Sequence, residues 1–232
     1  MYCYCVMPDH VHILLRVKEQ SKYHLGIYIS QLTSKITNKY NEETQQQISY
    51  TEIFQPNYTD KIIYANRPLD TLFRYIRENP HRLAMRRQYP QFFQRARNIQ
   101  IGEQHYEAYG NLFLLRNPDK EAVKISRKDL PETVAEKSFR WLNEARRGTI
   151  LVSPFISTKE KEIRSKAEAI GASIILIVHE VFPERFKPSE HDFALCSAGR
   201  LLILSLGLPA KTPLTRDTCL SMNALAEEIM EV

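Results

Sequence analysis

The chain has 232 residues, of which 43% are hydrophobic and 25% charged, and it carries a formal net charge of +5. This composition is typical of a globular protein, excludes a fibrous or disordered chain, and allows one large domain or two small ones. No run approaches the roughly 20 apolar residues of a membrane span, and a secretory signal is not indicated. The 4 cysteines form no Cys-x-x-Cys pair, so we expect reduced thiols in a cytoplasmic protein that binds no membrane.

The first predicted element is a single strand over residues 2–17, which contains Met7-Pro8-Asp9-His10-Val11-His12-Ile13-Leu14-Leu15. Alternate side chains of a strand share a face, so His10 and His12 are expected to lie side by side. The apolar residues between and after them are expected to face the core. Two adjacent imidazoles form half of a site for a divalent metal ion, but taken alone such a pair is more often found on the solvated face of an edge strand.

A helix is predicted over residues 21–41, because its apolar residues recur at helical spacing. Its polar face carries Lys35 and Lys39, which fit a binding surface or simple solvation. Short strands are expected next, at residues 53–55 and 60–64.

A second helix is predicted over residues 68–79. Tyr75 and Asn79 are four residues apart in it, so they share one face of the helix. The tyrosine supplies a hydroxyl nucleophile, and the asparagine supplies an oxygen ligand of the kind that Mg²⁺ or Mn²⁺ accepts. Pro80 predicts that the helix ends or kinks at this point, because the residue before a proline disfavours helical angles.

These two segments resemble the single-tyrosine HUH transposases of the IS200-like group, which includes the REP-associated tyrosine transposases, over about residues 1–100. The resemblance implies a ferredoxin-like α+β domain in which His10, His12 and Asn79 bind Mg²⁺ or Mn²⁺. It implies that Tyr75 attacks single-stranded or hairpin DNA and forms a 5′-phosphotyrosine. The strand–helix unit that usually precedes the histidine strand is missing, so we expect a truncated chain, or a sheet edge that another element or subunit completes.

The segment after this helix is strongly basic, since no acidic residue occurs between His81 and Arg97. The planar fork of arginine suits phosphate, and interleaved aromatic rings suit unpaired bases, although a solvated helix face has the same composition. With the resemblance, we expect a DNA-binding, nucleoid-associated protein. The candidate DNA-binding residues are Lys35, Lys39, Arg77, Arg82, Arg86 and Arg87.

Beyond about residue 100 the pattern changes to alternating buried strands and helices. This pattern predicts a second domain over residues 101–232 with a small parallel α/β sheet, and a boundary within residues 98–110. The predicted strands cover residues 111–115, 149–154, 173–179 and 199–205, and the predicted helices cover residues 132–146, 159–170 and 223–230.

This second half distantly resembles a Rossmann-type domain of the DprA kind, through Leu151-Val152-Ser153-Pro154-Phe155 and the turn at residues 196–200. Ser153, Ser157 and Arg200 are expected near strand ends, where open α/β sheets bind ligands. Capping and turn positions account for them better than a catalytic role does, and Ser157 or its neighbour is expected to cap the following helix. A glycine-rich phosphate loop is absent from the sequence.

Together these features predict a metal-dependent single-strand DNA endonuclease and strand transferase, acting as a transposase and possible homodimer. Two alternatives stay open. One is a catalytically inactive or domesticated protein that binds DNA hairpins without cutting them. The other is a nucleotide-sensing module in the C-terminal half.

Overall fold

The computed structural model describes residues 3–16, 21–63, 69–126 and 128–231. The chain divides into two compact units, Met1–Arg82 and Leu83–Val232. Within the described residues, no helix has both the length and the apolar character that crossing a bilayer requires.

The first unit begins with a β-hairpin made of β1 (Cys3–Val6) and β2 (Val11–Leu14), which pair antiparallel. The single strand predicted over residues 2–17 is therefore wrong. The backbone N–H of Met7 donates to the carbonyl of His10 at 2.8 Å and closes a turn between the strands. Pro8 explains the break, because it has no N–H to donate to a ladder and its fixed φ suits a turn.

One face of this hairpin is packed and the other is open. Cys5 and Leu14 pack with Ile76 in a small core. His12 lies opposite Cys5 in the register, so its side chain belongs to the packed face. Val11, on the other face, is 41% exposed. The expectation that the face away from the histidines meets the core is wrong, because the covering helix lies against the histidine face.

The predicted first helix is confirmed as α1, which spans Leu25–Thr44 and so begins and ends a few residues later than expected. Thr33 and Thr37 are its buried residues. The hydroxyl of each donates a hydrogen bond to a backbone carbonyl one turn earlier. This bond explains how two polar side chains are tolerated on the buried face of α1.

The strand predicted at residues 53–55 is wrong, because a short helix, α2 (Tyr50–Ile53), occupies its start. Ser49 and Glu52 form a capping box, which favours a helical turn over an extended segment. Residues 60–63 of the other predicted strand have no regular structure, and its last residue lies outside the described residues.

The tyrosine helix, α3, spans Leu69–Gln88 and passes through Pro80. The predicted end of the helix at Pro80 is therefore wrong, while the alternative, a kink at this point, stays a prediction. A proline in a helix removes one hydrogen bond, here to the carbonyl of Ile76, but the residues after it are mostly good helix formers. The basic side chains of Arg86 and Arg87 consequently lie in the last turn of the same helix.

The second unit is built on a six-stranded mixed sheet. Its strands are β3 (Gln94–Ile101), β4 (Gln104–Gly110), β5 (Lys120–Ala122), β6 (Ile150–Ser153), β7 (Ile174–Glu180) and β8 (Leu201–Leu208). They lie in the order β3-β4-β8-β7-β6-β5. The predicted parallel sheet is confirmed for β5 to β8, and β3 and β4 extend it as an antiparallel hairpin that pairs with β8.

This hairpin occupies the stretch of residues 98–110 in which we expected the domain boundary. Gly102 has a φ of +57° and lies in the hairpin turn. Gly110 has a φ of +122°, and a Cβ there would collide with the carbonyl oxygen of Leu201. Both glycines therefore serve sheet geometry rather than a linker, and the two units divide earlier, between Arg82 and Leu83.

Helices cover both faces of the sheet in the second unit. They are α4 (Pro131–Arg146), α5 (Thr158–Ala169), α6 (Glu190–Ser197) and α7 (Arg216–Glu228). Helices α4 to α6 pack on one face around Trp141, and α7 packs on the other face through Met222 and Leu225. The predictions for α4, α5 and α7 are confirmed, with α7 beginning earlier than expected, and α6 was not predicted.

One predicted strand of the second unit is wrong, because residues 112–116 form a 3₁₀ helix. The side chain of Asn111 accepts a hydrogen bond from the backbone N–H of Phe113 at 3.1 Å and starts this helix. Leu114 and Leu115 are buried in it against the α7 side of the sheet. The apolar run that suggested a strand is therefore a helical turn that contributes to the core.

Candidate functional site

The two histidines converge where the hairpin turn meets β2. Their Nε2 atoms are 3.1 Å apart, and the rings stand at 89° to each other. Two ring nitrogens that bind one divalent ion at about 2.1 Å each can approach this closely. The structure therefore brings His10 and His12 together as expected, with His10 in the turn and His12 in the strand.

Asp9 holds the ring of His10. Its Oδ1 atom accepts a hydrogen bond of 2.7 Å from Nδ1 of His10. With the proton on Nδ1, the Nε2 lone pair of His10 is free for a metal ion, and this is the usual arrangement behind a histidine ligand. Sequence reasoning missed the role of Asp9, although its position beside the first histidine was the available signal.

Tyr75 approaches the histidine pair from α3. Its ring centroid is 5.7 Å from that of His12, at an angle of 70°. The residue is 37% exposed, so a polymeric substrate can reach its hydroxyl. The tyrosine lies on α3 beside Ile76, whose burial in the small core anchors this part of the helix against the hairpin.

Asn79 lies one helical turn after Tyr75, and its Nδ2 atom is buried without a hydrogen-bond partner among the described residues. The unpaired atom is a hydrogen-bond donor, which an anionic oxygen such as that of a phosphate would satisfy, whereas a metal ion would be bound by the amide oxygen of the same side chain. The part of the chain that the structure describes contains no group of three His, Cys, Asp or Glu residues able to hold a metal ion. The structure brings the two imidazoles together, and the role of Asn79 as the third ligand beside them stays a prediction.

The candidate DNA-binding residues of the first unit differ in their surroundings. Lys35 and Arg77 are exposed. Lys39 lies 3.6 Å from a carboxylate oxygen of each of two glutamates on its own helix, which offsets its charge. Arg82 has a side chain only 17% exposed and lies 3.8 Å from Glu78. Lys35 and Arg77 are therefore the better placed for phosphate.

Arg86 belongs to the second unit, where its guanidinium lies 5.9 Å from the ring centre of Phe93 and 5.5 Å from that of Phe193. Arg87, next to it, is exposed. Phe93, one of the interleaved aromatics of this basic segment, thus packs against the core of the second unit.

The expected ligand site at the strand ends of the second unit is already occupied by a side chain. Glu160 accepts hydrogen bonds from the backbone N–H groups of Ile125, Ile156 and Ser157, at 3.1, 3.0 and 2.9 Å. The donors at the start of α5 that a phosphate would use are therefore taken. Ser157 caps this helix by accepting from the N–H of Glu160 at 3.2 Å, which confirms the capping prediction.

Two other residues of that expected site have structural contacts. The hydroxyl of Ser153 is buried and accepts from the N–H of Phe155 at 3.0 Å. Arg200 precedes β8 and donates to the carbonyl of Glu168 at 3.3 Å, so it lies at the opposite edge of the sheet. Arg200 thus lies near a strand end, as expected, but at the edge opposite to the carboxyl ends where open α/β sheets bind ligands.

Comparison with known proteins finds a similarity for the first unit. Residues 1–79, out of 232, match the family model described as "Transposase IS200 like". No curated protein matches the chain, and no solved structure does so either. The IS200-like resemblance is confirmed over the matched residues, and nothing supports the DprA-like resemblance of the second half.

Proposed function

Because residues 1–79 match the IS200-like transposase family model, we propose that this chain cuts and rejoins single-stranded DNA with Tyr75 as the nucleophile. The observation that carries the proposal is the placement of the Tyr75 ring 5.7 Å from the ring of His12, which itself contacts His10. A hydroxyl nucleophile beside two converging imidazoles suits metal-assisted phosphodiester cleavage. The proposal includes the ferredoxin-like α+β fold of the family for the first unit.

His10, His12 and Asn79 would hold the divalent ion, Mg²⁺ or Mn²⁺. When bound there, the ion would act as a Lewis acid on the scissile phosphate and neutralise charge on its non-bridging oxygens. Imidazole ligands suit softer ions than Mg²⁺, so this donor set favours Mn²⁺ of the two. Asp9 keeps the proton of His10 on Nδ1, which orients the ring towards the site.

Tyr75 performs the covalent step. Its oxygen attacks the phosphorus, the bond from phosphorus to the 3′ oxygen breaks, and the products are a 5′-phosphotyrosine and a free 3′-hydroxyl. Attack by another 3′-hydroxyl reverses the step and releases the tyrosine, so rejoining needs no nucleotide hydrolysis. The exposure of Tyr75 allows the strand to reach it, and α3 fixes its position relative to Asn79.

The proposed substrate is single-stranded or hairpin DNA, with Lys35 and Arg77 offering exposed charge to its backbone. Each chain has one candidate nucleophile, so an exchange of two strands favours two copies or two successive turnovers. A homodimer is the simpler solution and forms part of the proposal.

The test is a covalent-adduct gel with labelled hairpin DNA and Mn²⁺. The wild type is compared with Tyr75→Phe, His10→Ala and the control Tyr40→Phe, which changes a tyrosine of similar exposure on α1. We expect a protease-sensitive shifted band from the wild type and the control, none from Tyr75→Phe, and a much weaker one from His10→Ala. DNA binding without any adduct would contradict cleavage and support the hairpin-binding alternative.

A further inference from the structure

A basic, aromatic pocket lies in the second unit, where the last turn of α3, the β3–β4 hairpin and the loop after β7 meet. Its volume is about 390 Å³, within the range of small-molecule sites. Arg86, Arg95 and Arg185 supply its charge, and Tyr109 and Phe186 are among its aromatic lining. We call it the basic pocket.

Arg95 fixes the loop that lines one side of this pocket. Its guanidinium donates to the carbonyl oxygens of residues 182–184 at 2.8 to 3.0 Å, and it reaches the carboxylate of Glu107 at 3.0 Å. The bonds to the carbonyls hold the loop after β7 in place, and the ion pair with Glu107 offsets the charge of Arg95. The loop presents the next residue, Arg185, which is exposed, at the mouth of the pocket.

Arg86 places a positive charge inside the basic pocket. Packing against two phenylalanine rings fixes its guanidinium, and its Nε atom is buried with no partner among the described residues. Within those residues no carboxylate forms an ion pair with it. A fixed arginine that lacks a protein anion is suited to bind an anionic ligand.

Tyr109 adds a neutral hydrogen-bonding group. Burial raises its pKa, and the charge and the hydrogen bond of Arg86 oppose this shift, so the hydroxyl stays protonated at neutral pH. A protonated hydroxyl can donate a hydrogen bond to a ligand oxygen. The neighbouring ring of Phe186 lies 5.0 Å from the Tyr109 ring and 4.3 Å from that of Phe182, which makes an apolar aromatic surface.

We propose that the basic pocket binds a nucleoside phosphate, with the phosphate between Arg86 and Arg185 and the base against Phe186. The pocket follows the carboxyl end of β7, where open α/β sheets bind ligands. The usual phosphate site of such sheets, the backbone N–H groups at the start of α5, is not open to a ligand here, because the Glu160 carboxylate accepts their hydrogen bonds. A free nucleotide and one nucleotide of a single strand share this chemistry, and the proposal does not depend on DNA cleavage by the first unit.

The experiment measures binding of thymidine 5′-monophosphate and of a short labelled oligothymidylate to the full chain, with EDTA present so that no metal-dependent step intervenes. The variants are Arg185→Ala, whose exposed side chain can be removed without disturbing the fold, and Arg86→Lys, which keeps the charge and loses the fork. Arg147→Ala, an arginine with a 74% exposed side chain at the end of α4, is the control.

We expect Arg185→Ala to raise the dissociation constant of the mononucleotide at least tenfold, with a similar loss in Arg86→Lys and none in the control. If only the oligothymidylate binds and the same variants weaken it, the pocket takes a nucleotide of a DNA strand. Unchanged binding of both probes in Arg185→Ala overturns the proposal. Inorganic phosphate competing as well as the nucleotide overturns it too, because no nucleoside is then recognised.

Discussion

The Nδ1–H of His10 donates a hydrogen bond of 2.7 Å to the Oδ1 atom of Asp9, the residue before it in the chain. The two side chains are 48% and 84% exposed, so water screens this contact and it adds little to folding stability. Its effect is on orientation: the bond fixes which nitrogen of His10 carries the proton and aims the other nitrogen at His12. Asp9 is thus a positioning residue for the proposed metal site.

Asp9→Asn should weaken Mn²⁺ binding about 10- to 100-fold, because the amide no longer fixes the proton on Nδ1 or raises the basicity of the ring. Calorimetric titration of Mn²⁺ into the apo chain measures this directly. The control is Asp60→Asn, an exposed aspartate in an irregular segment of the same unit. Equal Mn²⁺ affinity in both variants would show that Asp9 does not act on the histidine.

The sequence predicted which residues meet at this site better than it predicted the local structure that brings them together. His10 and His12 were expected to be neighbours on one strand. They are neighbours in the structure, but His10 lies at the end of the hairpin turn and His12 lies in β2. Two-residue spacing brings side chains to the same side in both arrangements. The turn was not predictable from the alternation, because apolar residues continue it on both sides of Pro8.

In the second unit the buried strands and their connecting helices were predictable, since continuous apolar runs and helical spacing are strong local signals. The hairpin of β3 and β4 was not predicted, because its residues are polar and its pairing with β8 joins segments far apart in sequence. The role of Glu160 was missed for the same reason: one of its partners, the N–H of Ile125, is 35 residues away.

Pro80 lies inside α3, and this predicts that Pro80→Ala stabilises the protein. Alanine restores the backbone N–H that can bond to the carbonyl of Ile76 and removes the clash of the ring, a change of about 1–3 kcal/mol. Urea unfolding followed by circular dichroism should show a higher midpoint. A lower midpoint would mean that the proline supplies packing that the missing hydrogen bond does not reveal.

Glu160 should contribute more to the free energy of unfolding than Ser157, the other residue of the capping box at the start of α5. Glu160→Gln leaves one oxygen to serve three backbone donors around a site that is 5% exposed, and we expect a loss of about 1–3 kcal/mol. Ser157→Ala removes one capping bond and should cost about 1 kcal/mol. Chemical denaturation of both variants compares them, and a larger loss in Ser157→Ala would contradict this order.

The interior of the larger sheet predicts a strong contrast between two leucines. Leu202 in β8 is 0% exposed and Leu220 in α7 is 53% exposed. Leu202→Ala should lower the free energy of unfolding by about 2–5 kcal/mol, because it loses buried surface and leaves a cavity. Leu220→Ala should change it by about 0.5 kcal/mol or less. Similar losses in equilibrium denaturation would mean that Leu220 is covered in solution.

The thiol of Cys196 should make the free energy of unfolding of the second unit decrease at alkaline pH. The residue is 0% exposed, and burial, helped by the charge of Asp192 and opposed by Arg86, raises the pKa of its thiol to about 12. An unfolded cysteine titrates near pH ~8.5, so above that pH the unfolded state binds fewer protons than the folded state. Stability should therefore be independent of this group below pH ~8.5 and decline as pH rises towards 12.

The Cys196→Ala variant isolates this effect from other alkaline titrations. Between pH ~9 and ~10 the wild type should lose up to about 1.4 kcal/mol more than the variant, which is the linkage of one proton per pH unit. Urea unfolding at both pH values measures the difference, and Cys219→Ala, at a partly exposed position on α7, serves as the control. Parallel pH slopes for the wild type and Cys196→Ala would mean that the thiol is not held protonated, and that the packing of α6 against the sheet admits water.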